Sequence, residues 1–374
     1  MRRCNWSTVD SVGRRDALLR PALTGNPGLA ERVGTIVAAV RNDGDAALLR
    51  FARELERAEL TNLRVSEDEV GAAEAELSLE ARSAIHTAIA NVRRFHEAQT
   101  SAPLRVETAP GVVCERVSKP LTAVGLYVPA GSAPLPSTAI MLGVPSALAG
   151  CPVRVLCTPP RPDGRADPAV VFAARACGVQ DMFKAGGAQA VAAMAYGTVT
   201  VPKVVKIFGP GNAWVTAAKA LVAADPAGAA LDMPAGPSEV MVVADGRADP
   251  RFVALDLLSQ AEHGPDSHVV LVTLDETLIA RVEAEMEAAL ASLPRRAIIE
   301  AALRHSVAVL VPDLPEALSV VNEYAPEHLL LQVADPRGFA ADVMTAGSVF
   351  LGRWTPESVG DYCSGTNHVL PTYG

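Results

Sequence analysis

The stretch VRVLCTPPRPDGRADPAVVFAARACGVQDMFKAGGAQAVAAMAYGTVTVPKVVKIFGPGNAWV, residues 153–215, decides the fold class. Short apolar runs alternate in it with longer runs that are rich in alanine. We predict strands at Val153–Cys157, Asp181–Lys184 and Val204–Phe208, and helices at Pro168–Cys177 and Ala188–Tyr196. Strands and helices that alternate at this spacing indicate α/β architecture, with parallel sheets flanked by helices.

The same alternation resumes towards the C-terminus, after a helical N-terminal part. Amphipathic runs predict helices through most of the first hundred residues, as far as Glu97. Further strands are predicted at Glu239–Ala244, Val269–Leu274, Val307–Val311 and Val349–Gly352.

This order of elements predicts an arm and two lobes. Residues 1–25 would form the N-terminal arm. One α/β lobe would combine residues 26–125 with 239–374, and residues 126–238 would form a second α/β lobe.

The composition is that of an acidic protein with a large core. The chain has 374 residues, 33 Lys and Arg, 42 Asp and Glu, and a net charge of −9. A protein that binds nucleic acid needs a basic face, so we expect no nucleic-acid partner. The six cysteines form no CxxC pair, and the N-terminus has no apolar segment typical of a secretory signal. We therefore expect reduced thiols and a cytoplasmic location.

One segment is long enough to test whether the chain crosses a membrane. The 34 residues between Lys119 and Arg154 carry no charge, whereas a membrane helix needs about 20 apolar residues. They include six prolines and four glycines, which would free backbone groups that find no partner in lipid. We expect a buried strand, loop and short helix here, and no membrane partner.

Gln260 and His263 mark the first cluster of polar residues, SQAEHGPDS at 259–267. They are three residues apart at the end of a helix that we predict from Pro250, so they share one face of its last turn. The histidine could be a metal ligand. The spacing alone favours the other interpretation, a residue that the helix dipole stabilises at this end.

Two further clusters contain possible acids, bases and ligands. Glu327 and His328 follow Pro326, so this segment either starts a helix or places a carboxylate beside an imidazole that can move protons. Asp361 and His368 lie in a polar run after a predicted strand, where they could bind a cation and a polar substrate or form a solvated turn.

The fourth cluster is the turn Gly209-Pro210-Gly211-Asn212 between a predicted strand and helix. Free N–H groups at such a helix start can hold a phosphate. The turn has only part of the GxGxxG dinucleotide pattern, so the signal is weak by itself.

Together these motifs resemble histidinol dehydrogenase, in order and spacing. The resemblance extends from the helical N-terminal part to the last residue. Its most specific parts are SQAEHGPDS (259–267) and GDYCSGTNHVLPTYG (360–374), and it also includes GLYVPAGSAPLPSTAIMLGVPSALAG (125–150) and NEYAPEHL (322–329).

The resemblance implies an enzyme that oxidises L-histidinol to L-histidine through the aldehyde, using NAD twice and one zinc per subunit. It also implies a homodimer of subunits with two incomplete Rossmann-like lobes, similar to those of aldehyde dehydrogenases. A relative that oxidises another small polar alcohol, such as a sulfonated diol, is the alternative. An impaired, truncated chain is a second alternative, because members of the family continue past Gly374 with a tail that supplies a zinc-binding His and a substrate-binding Glu.

The resemblance assigns roles to residues whose motifs match. It implies that Gln260, His263 and Asp361 bind zinc, that His328 is the general base and that Glu327 activates water. Substrate would be bound by Ser238, Gln260, His263, His328, Asp361 and His368. NAD would be bound by Tyr127, Gln189 and Asn212.

Overall fold

The computed structural model describes residues 1–21, 28–130, 133–233 and 236–370. The chain divides into two units. Of the described residues, 1–21, 236–361 and 370 belong to the first unit, and 28–130, 133–233 and 362–369 belong to the second. Residues 22–25 of the predicted arm and 371–374 of the last motif lie outside the described residues.

The first unit is built on a parallel sheet, whose strands in chain order are β1 Arg2–Asn5, β9 Glu239–Ala244, β10 His268–Thr273, β11 Val307–Leu310, β12 His328–Gln332 and β13 Ser348–Leu351. Their order across the sheet is β1-β11-β10-β9-β12-β13. Its helices are α1 Ser11–Ala17, α10 Pro250–Ala261, α11 Glu276–Leu290, α12 Arg296–Leu303, α13 Leu314–Tyr324, α14 Pro336–Ala341 and α15 Glu357–Tyr362.

Both faces of this sheet are covered, which explains the continuous apolar runs of its central strands. Along β9, Val240 and Val242 face a core layer that includes Leu257 of α10. Met241 and Val243 point the other way, into a layer that includes residues of α13. The period of two along the strand therefore assigns alternate side chains to two cores.

The second unit contains a parallel sheet with the strand order β6-β5-β4-β7-β8. Its strands are β4 Ala123–Tyr127, β5 Val153–Thr158, β6 Asp181–Lys184, β7 Lys206–Phe208 and β8 Ala230–Leu231, and a separate antiparallel pair consists of β2 Leu104–Ala109 and β3 Val112–Arg116. Its helices are α2 Leu29–Asp43, α3 Asp45–Leu55, α4 Glu67–Glu76, α5 Leu79–Glu97, α6 Pro136–Leu148, α7 Pro168–Ala176, α8 Gly187–Tyr196 and α9 Ala213–Ala224.

The structure confirms the predicted α/β class and corrects the predicted grouping. The sequence predicts residues 26–125 in the lobe of 239–374, but residues 28–125 belong to the unit that contains 133–233. The reason is packing: α2 lies against α8 and α9, α4 against α7, and α5 against α6. An amphipathic helix shows in its sequence that one face is buried, but not which sheet buries it.

The structure also confirms the buried strand and the helix that are predicted for the uncharged segment between Lys119 and Arg154. It contains β4 and the buried helix α6, whose residues Ser137–Val144 are all buried. Across the described residues, no helix combines the length and apolar character that a membrane crossing requires.

Two leucines of α10 provide a test of this packing. Leu257 is fully buried at 0% exposure, and Leu255 is 44% exposed. We expect Leu257→Ala to lower the free energy of unfolding by about 2–5 kcal/mol, because it removes buried methyl groups and leaves a cavity. Leu255→Ala should change it by less than about 0.5 kcal/mol. Urea unfolding followed by circular dichroism measures both, and equal losses would contradict this assignment of the helix faces.

Candidate active site

The end of α10 places Gln260 and His263 in the first unit. Asp249 caps this helix through its side chain, and Pro250 occupies the first turn. The Ser259 carbonyl accepts a hydrogen bond from His263 Nδ1 at 3.0 Å, which leaves the lone pair on Nε2 available. Burial lowers the pKa of His263, which favours the neutral form of the ring that binds metals.

The helix α15 brings two carboxylates to the same place. Glu357 and Asp361 are four residues apart and therefore share a helix face. Both are buried, with exposures of 0% and 6%. The potential ligand atoms of His263, Glu357 and Asp361 all lie within 4.8 Å of one another.

This group of side chains fits a divalent cation. An imidazole nitrogen and carboxylate oxygens are ordinary zinc ligands. Gln260 is 1% exposed, and among the described residues its Oε1 has no hydrogen-bond partner. Because an unpaired buried oxygen costs about 1–3 kcal/mol, its presence three residues before His263 favours a ligand at this end of α10 that binds the oxygen.

Glu327 directly precedes β12 and His328 is its first residue, and the strand lies between β9 and β13. The alternative that Pro326 and Glu327 start a helix is wrong, since β12 begins at His328. Ala325, which caps α13, adopts a left-handed conformation with φ +51°. The chain therefore turns out of the helix and enters the sheet within three residues.

A single residue of the neighbouring strand fixes both side chains. The Glu239 N–H donates to Glu327 Oε2 at 2.9 Å. The Glu239 carbonyl accepts from His328 Nδ1 at 2.9 Å, so the hydrogen of the ring is on Nδ1. His328 Nε2 is the remaining nitrogen, and it lies 3.0 Å from Asp361 Oδ1.

The pKa values of Glu327 and His328 follow from burial and from these contacts. Burial raises the pKa of Glu327 to about 8. Burial would lower the pKa of His328, but the hydrogen bond to Asp361 and the charges of Glu327 and Asp361 outweigh it and raise that pKa to about 10. A raised pKa favours the imidazolium form of His328, which balances the carboxylate of Asp361.

Arg20 supports this arrangement through hydrogen bonds to Glu239 and to the turn that precedes Glu327. Its Nη2 donates to Glu239 Oε2 at 3.0 Å and to the Tyr324 carbonyl at 2.6 Å. It also donates to the Ala325 carbonyl at 3.4 Å, in the turn that leads to Glu327. Sequence analysis missed Arg20 and the role of Glu239, because no local pattern signals a contact across 219 positions.

Ser238 directly precedes β9 and is half-buried. Its carbonyl accepts a hydrogen bond from the His268 N–H at 3.1 Å. The first unit thus contains Ser238 together with Gln260, His263, Glu327, His328 and Asp361.

The other residues singled out from the sequence lie in the second unit. Tyr127 ends β4, and its hydroxyl accepts a hydrogen bond from the Gly187 N–H at 3.0 Å, at the start of α8. Gln189 on the same helix donates to Glu56 Oε1 at 3.2 Å. Burial raises the pKa of Glu56, which sequence analysis did not identify, to about 7. Tyr127 and Gln189 therefore come together around one helix start.

Asn212 occupies the start of α9. Its Oδ1 accepts from the N–H groups of Trp214 and Val215 at 3.1 and 3.3 Å. Two of the amides that a phosphate could use are therefore already bonded. The preceding turn is held by Gly209, whose N–H donates to Asp232 at 2.8 Å.

His368 lies beside the start of α6 in the second unit. Its Nε2 is 3.3 Å from Ser137 Oγ and 3.5 Å from Thr138 Oγ1. It is half-buried. His368 therefore belongs to the second unit, whereas Asp361 belongs to the first.

The Arg20–Glu239 pair can be tested against an exposed pair in the same unit. Arg20 and Glu239 have side-chain exposures of 11% and 2%, whereas Arg3 and Glu283 have 52% and 29%. We expect Arg20→Met to lower the free energy of unfolding by about 3–5 kcal/mol, since Glu239 stays buried without its partner. Arg3→Met should cost at most about 1 kcal/mol. A small loss for Arg20→Met in urea unfolding would mean that Glu239 does not depend on this partner.

A family profile and two relatives of similar sequence identify the same family. The profile of the family described as histidinol dehydrogenase matches residues 21–374. The histidinol dehydrogenase of Xanthomonas axonopodis pv. citri is 55% identical over 374 residues, which are 100% of this chain and 86% of that protein. That of Vibrio cholerae is 50% identical with the same coverage.

A solved structure extends the similarity to the fold. The crystal structure of histidinol dehydrogenase from Elizabethkingia anophelis matches with a TM-score of 0.94 and 44% identity. The match covers 100% of this chain and 85% of that one. The chain therefore belongs to the histidinol dehydrogenase family of oxidoreductases.

Proposed function

We propose that this chain oxidises L-histidinol to L-histidine through histidinaldehyde, in two NAD-dependent steps and with one zinc ion per subunit. The observation that carries this proposal is the position of His328. One ring nitrogen is fixed by the Glu239 carbonyl, and the other points to Asp361, whose ligand atom is within 4.8 Å of that of His263. The proposed base and the proposed metal ligands are thus adjacent in one unit.

Gln260, His263 and Asp361 would hold the zinc. When bound, zinc would supply a template for the imidazole and amino nitrogens of the substrate. Ser238 and His368 would contact the substrate as well. The neutral His263 and the unpaired oxygen of Gln260 support this assignment, because both offer lone pairs that no described residue uses.

His328 would remove the proton of the alcohol. Its Nδ1 hydrogen is held by Glu239, so Nε2 is the atom that receives the proton. A base must be neutral before it acts, and the contact with Asp361 keeps the ring charged. Asp361 would use the same carboxylate for the zinc, and the pKa of His328 would then fall towards its ordinary range.

Glu327 would activate the water that adds to the aldehyde before the second oxidation. Its pKa of about 8 makes its carboxylate a stronger base than an exposed one. The hydrogen bond from the Glu239 N–H fixes Oε2, and Oε1 would be the oxygen that acts on the water. This role differs from that of His328, and the two can be separated by experiment.

Tyr127, Gln189 and Asn212 would bind NAD, which supplies the acceptor for each hydride. Their positions support this: Tyr127 and Gln189 meet at the start of α8, and Asn212 caps α9 after β7, the strand that pairs with β4. The chain would act as a homodimer in the cytoplasm and would complete histidine biosynthesis.

Removal of metal is the first test. After treatment with a chelator, we expect histidinol-dependent formation of NADH to stop and to return when zinc is added, with one zinc per chain by elemental analysis. Magnesium serves as the control cation and should not restore the rate. Full turnover by zinc-free protein, or a strong preference for a sulfonated diol over histidinol, would overturn the proposal.

Substitution of the proposed acid–base pair is the second test. We expect His328→Ala to reduce kcat by about 10²–10⁴-fold in both oxidations, because it removes the base. Glu327→Gln should slow oxidation of the aldehyde more than that of the alcohol, as seen when the two substrates are supplied separately. The exposed His305→Ala is the control and should leave both rates unchanged. A normal rate for His328→Ala would assign the base elsewhere.

A further inference from the structure

The turn between β7 and α9 is held by a buried ion pair that has no role in the proposed function so far. Lys219 Nζ pairs with Asp232 Oδ1, and both side chains are only 4% exposed. Lys219 belongs to α9, and Asp232 directly follows β8. Removing two charges from water is costly, so a buried pair by itself adds little stability. The other contacts of the two side chains therefore matter.

Both polar main-chain groups of Gly209 are bonded to this pair. The Gly209 N–H donates to Asp232 Oδ2 at 2.8 Å, and the Gly209 carbonyl accepts from Lys219 Nζ at 2.9 Å. Asp232 Oδ1 also accepts from the Met233 N–H at 2.7 Å. The two side chains thus fix the peptide groups on both sides of Gly209.

Gly209 is in close contact with the end of β4. Its φ is +127°, in the region that favours glycine. A Cβ atom at this position would collide with the carbonyl oxygen of Tyr127, so there is no room for any other residue. By holding Gly209, the ion pair therefore also fixes the distance between the turn and Tyr127.

The topology of the second unit makes this turn a place for a ligand. The chain runs from β4 outwards to β5 and β6, and then returns to β7 on the other side of β4. In an open parallel sheet, ligands bind beyond the carboxyl ends of the strands at the point where the strand order reverses. Tyr127 ends β4 and Gly209 directly follows β7, so both lie at this point.

The ion pair is also connected to Asn212, which caps α9 through its side chain. Lys219 lies seven residues after Asn212, which is about two helical turns. Its ammonium group bonds to the Gly209 carbonyl, so Lys219 links the helix to the turn from which the helix begins. The position of Asn212 is therefore determined from both sides, by the helix and by the turn.

We infer that Lys219 and Asp232 are positioning residues for NAD, because they hold the turn 209–212 in the conformation that binds the dinucleotide. This inference rests on the proposed NAD-dependent function. Neither side chain needs to contact the cofactor, since both act through the main chain of Gly209. A turn that is fixed before binding loses less conformational freedom when the ligand arrives, so the ligand binds more tightly.

The test removes both charges at once. A single substitution to an apolar residue would leave the other charge buried and unpaired, which destabilises the unit for an unrelated reason. The variant is Lys219→Met with Asp232→Leu, whose apolar side chains cannot bind the main chain of Gly209. The matched control is Lys184→Met with Glu69→Met, because Lys184 and Glu69 form another buried ion pair of the second unit, with side-chain exposures of 10%.

Cofactor affinity is measured by the fluorescence of NADH in a titration without substrate. We expect the variant of Lys219 and Asp232 to bind NADH about 10-fold more weakly than the wild type, because the turn is no longer fixed. The KM for NAD should rise by a similar factor, whereas kcat at saturating NAD and the KM for histidinol should stay within about threefold. The control variant should bind NADH within about twofold of the wild type.

A second variant applies the same test with little effect on folding. In Asp232→Asn the side chain keeps its size, and the amide oxygen can still accept from Lys219 and Met233. The amide nitrogen then faces the Gly209 N–H, donor against donor, so the turn loses one of its two bonds to the pair. We expect this variant to bind NADH about threefold more weakly.

Unchanged NADH affinity in both variants would overturn the inference. An equal loss in the control variant would do the same, because it would show that any damage to the unit weakens the cofactor site. A fall in kcat without a change in the KM for NAD would also contradict a role in cofactor binding. Wild-type protein that binds no NADH would instead overturn the proposed NAD-dependent function.

Discussion

The main chain of Glu239 is the point on which the candidate site depends. Its N–H and its carbonyl hold the side chains of Glu327 and His328, so one residue positions a carboxylate and an imidazole together. This requires β9 and β12 to be adjacent and in register, with His328 opposite Val240. A shift of one residue would turn every side chain of β12 to the other face of the sheet. The core that fixes the register therefore also fixes the geometry of the site.

The first unit places several negative charges in its interior and balances them in different ways. Glu239 is paired with Arg20, and Asp361 is paired with His328. Glu357 instead accepts a hydrogen bond from the Ser259 hydroxyl at 2.7 Å. The charge of Glu239 is thus balanced by Arg20, and that of Asp361 by His328, within the same unit. Because these charges are buried, removal of either cationic partner would leave a buried carboxylate without compensation.

The sequence could predict the α/β class. Strands that are buried on both faces of a sheet appear as continuous β-branched, apolar runs, and the alanine-rich runs between them indicate the covering helices. It could not assign residues 28–125 to a sheet, since an amphipathic face does not identify its partner. The helix considered for Pro326–Glu327 was wrong because Ala325 and Pro326 redirect the chain into β12. The motifs identified Gln260, His263, Glu327, His328 and Asp361 as candidates, and the structure places them in one unit. Arg20, Glu239 and Glu357 act through contacts with residues distant in sequence, which no local pattern records.

The interleaving of the two units along the chain has a consequence for synthesis on the ribosome. The edge strand β1 is made first, yet its partner β11 follows about three hundred residues later. Nearly all of the second unit is translated in between and can fold in the meantime. The N-terminal segment must therefore wait unpaired until β11 emerges, and its exposed strand is open to wrong partners during that time. The polar sequence of β1, RRCN, with two arginines, reduces this risk because charged side chains disfavour strand addition.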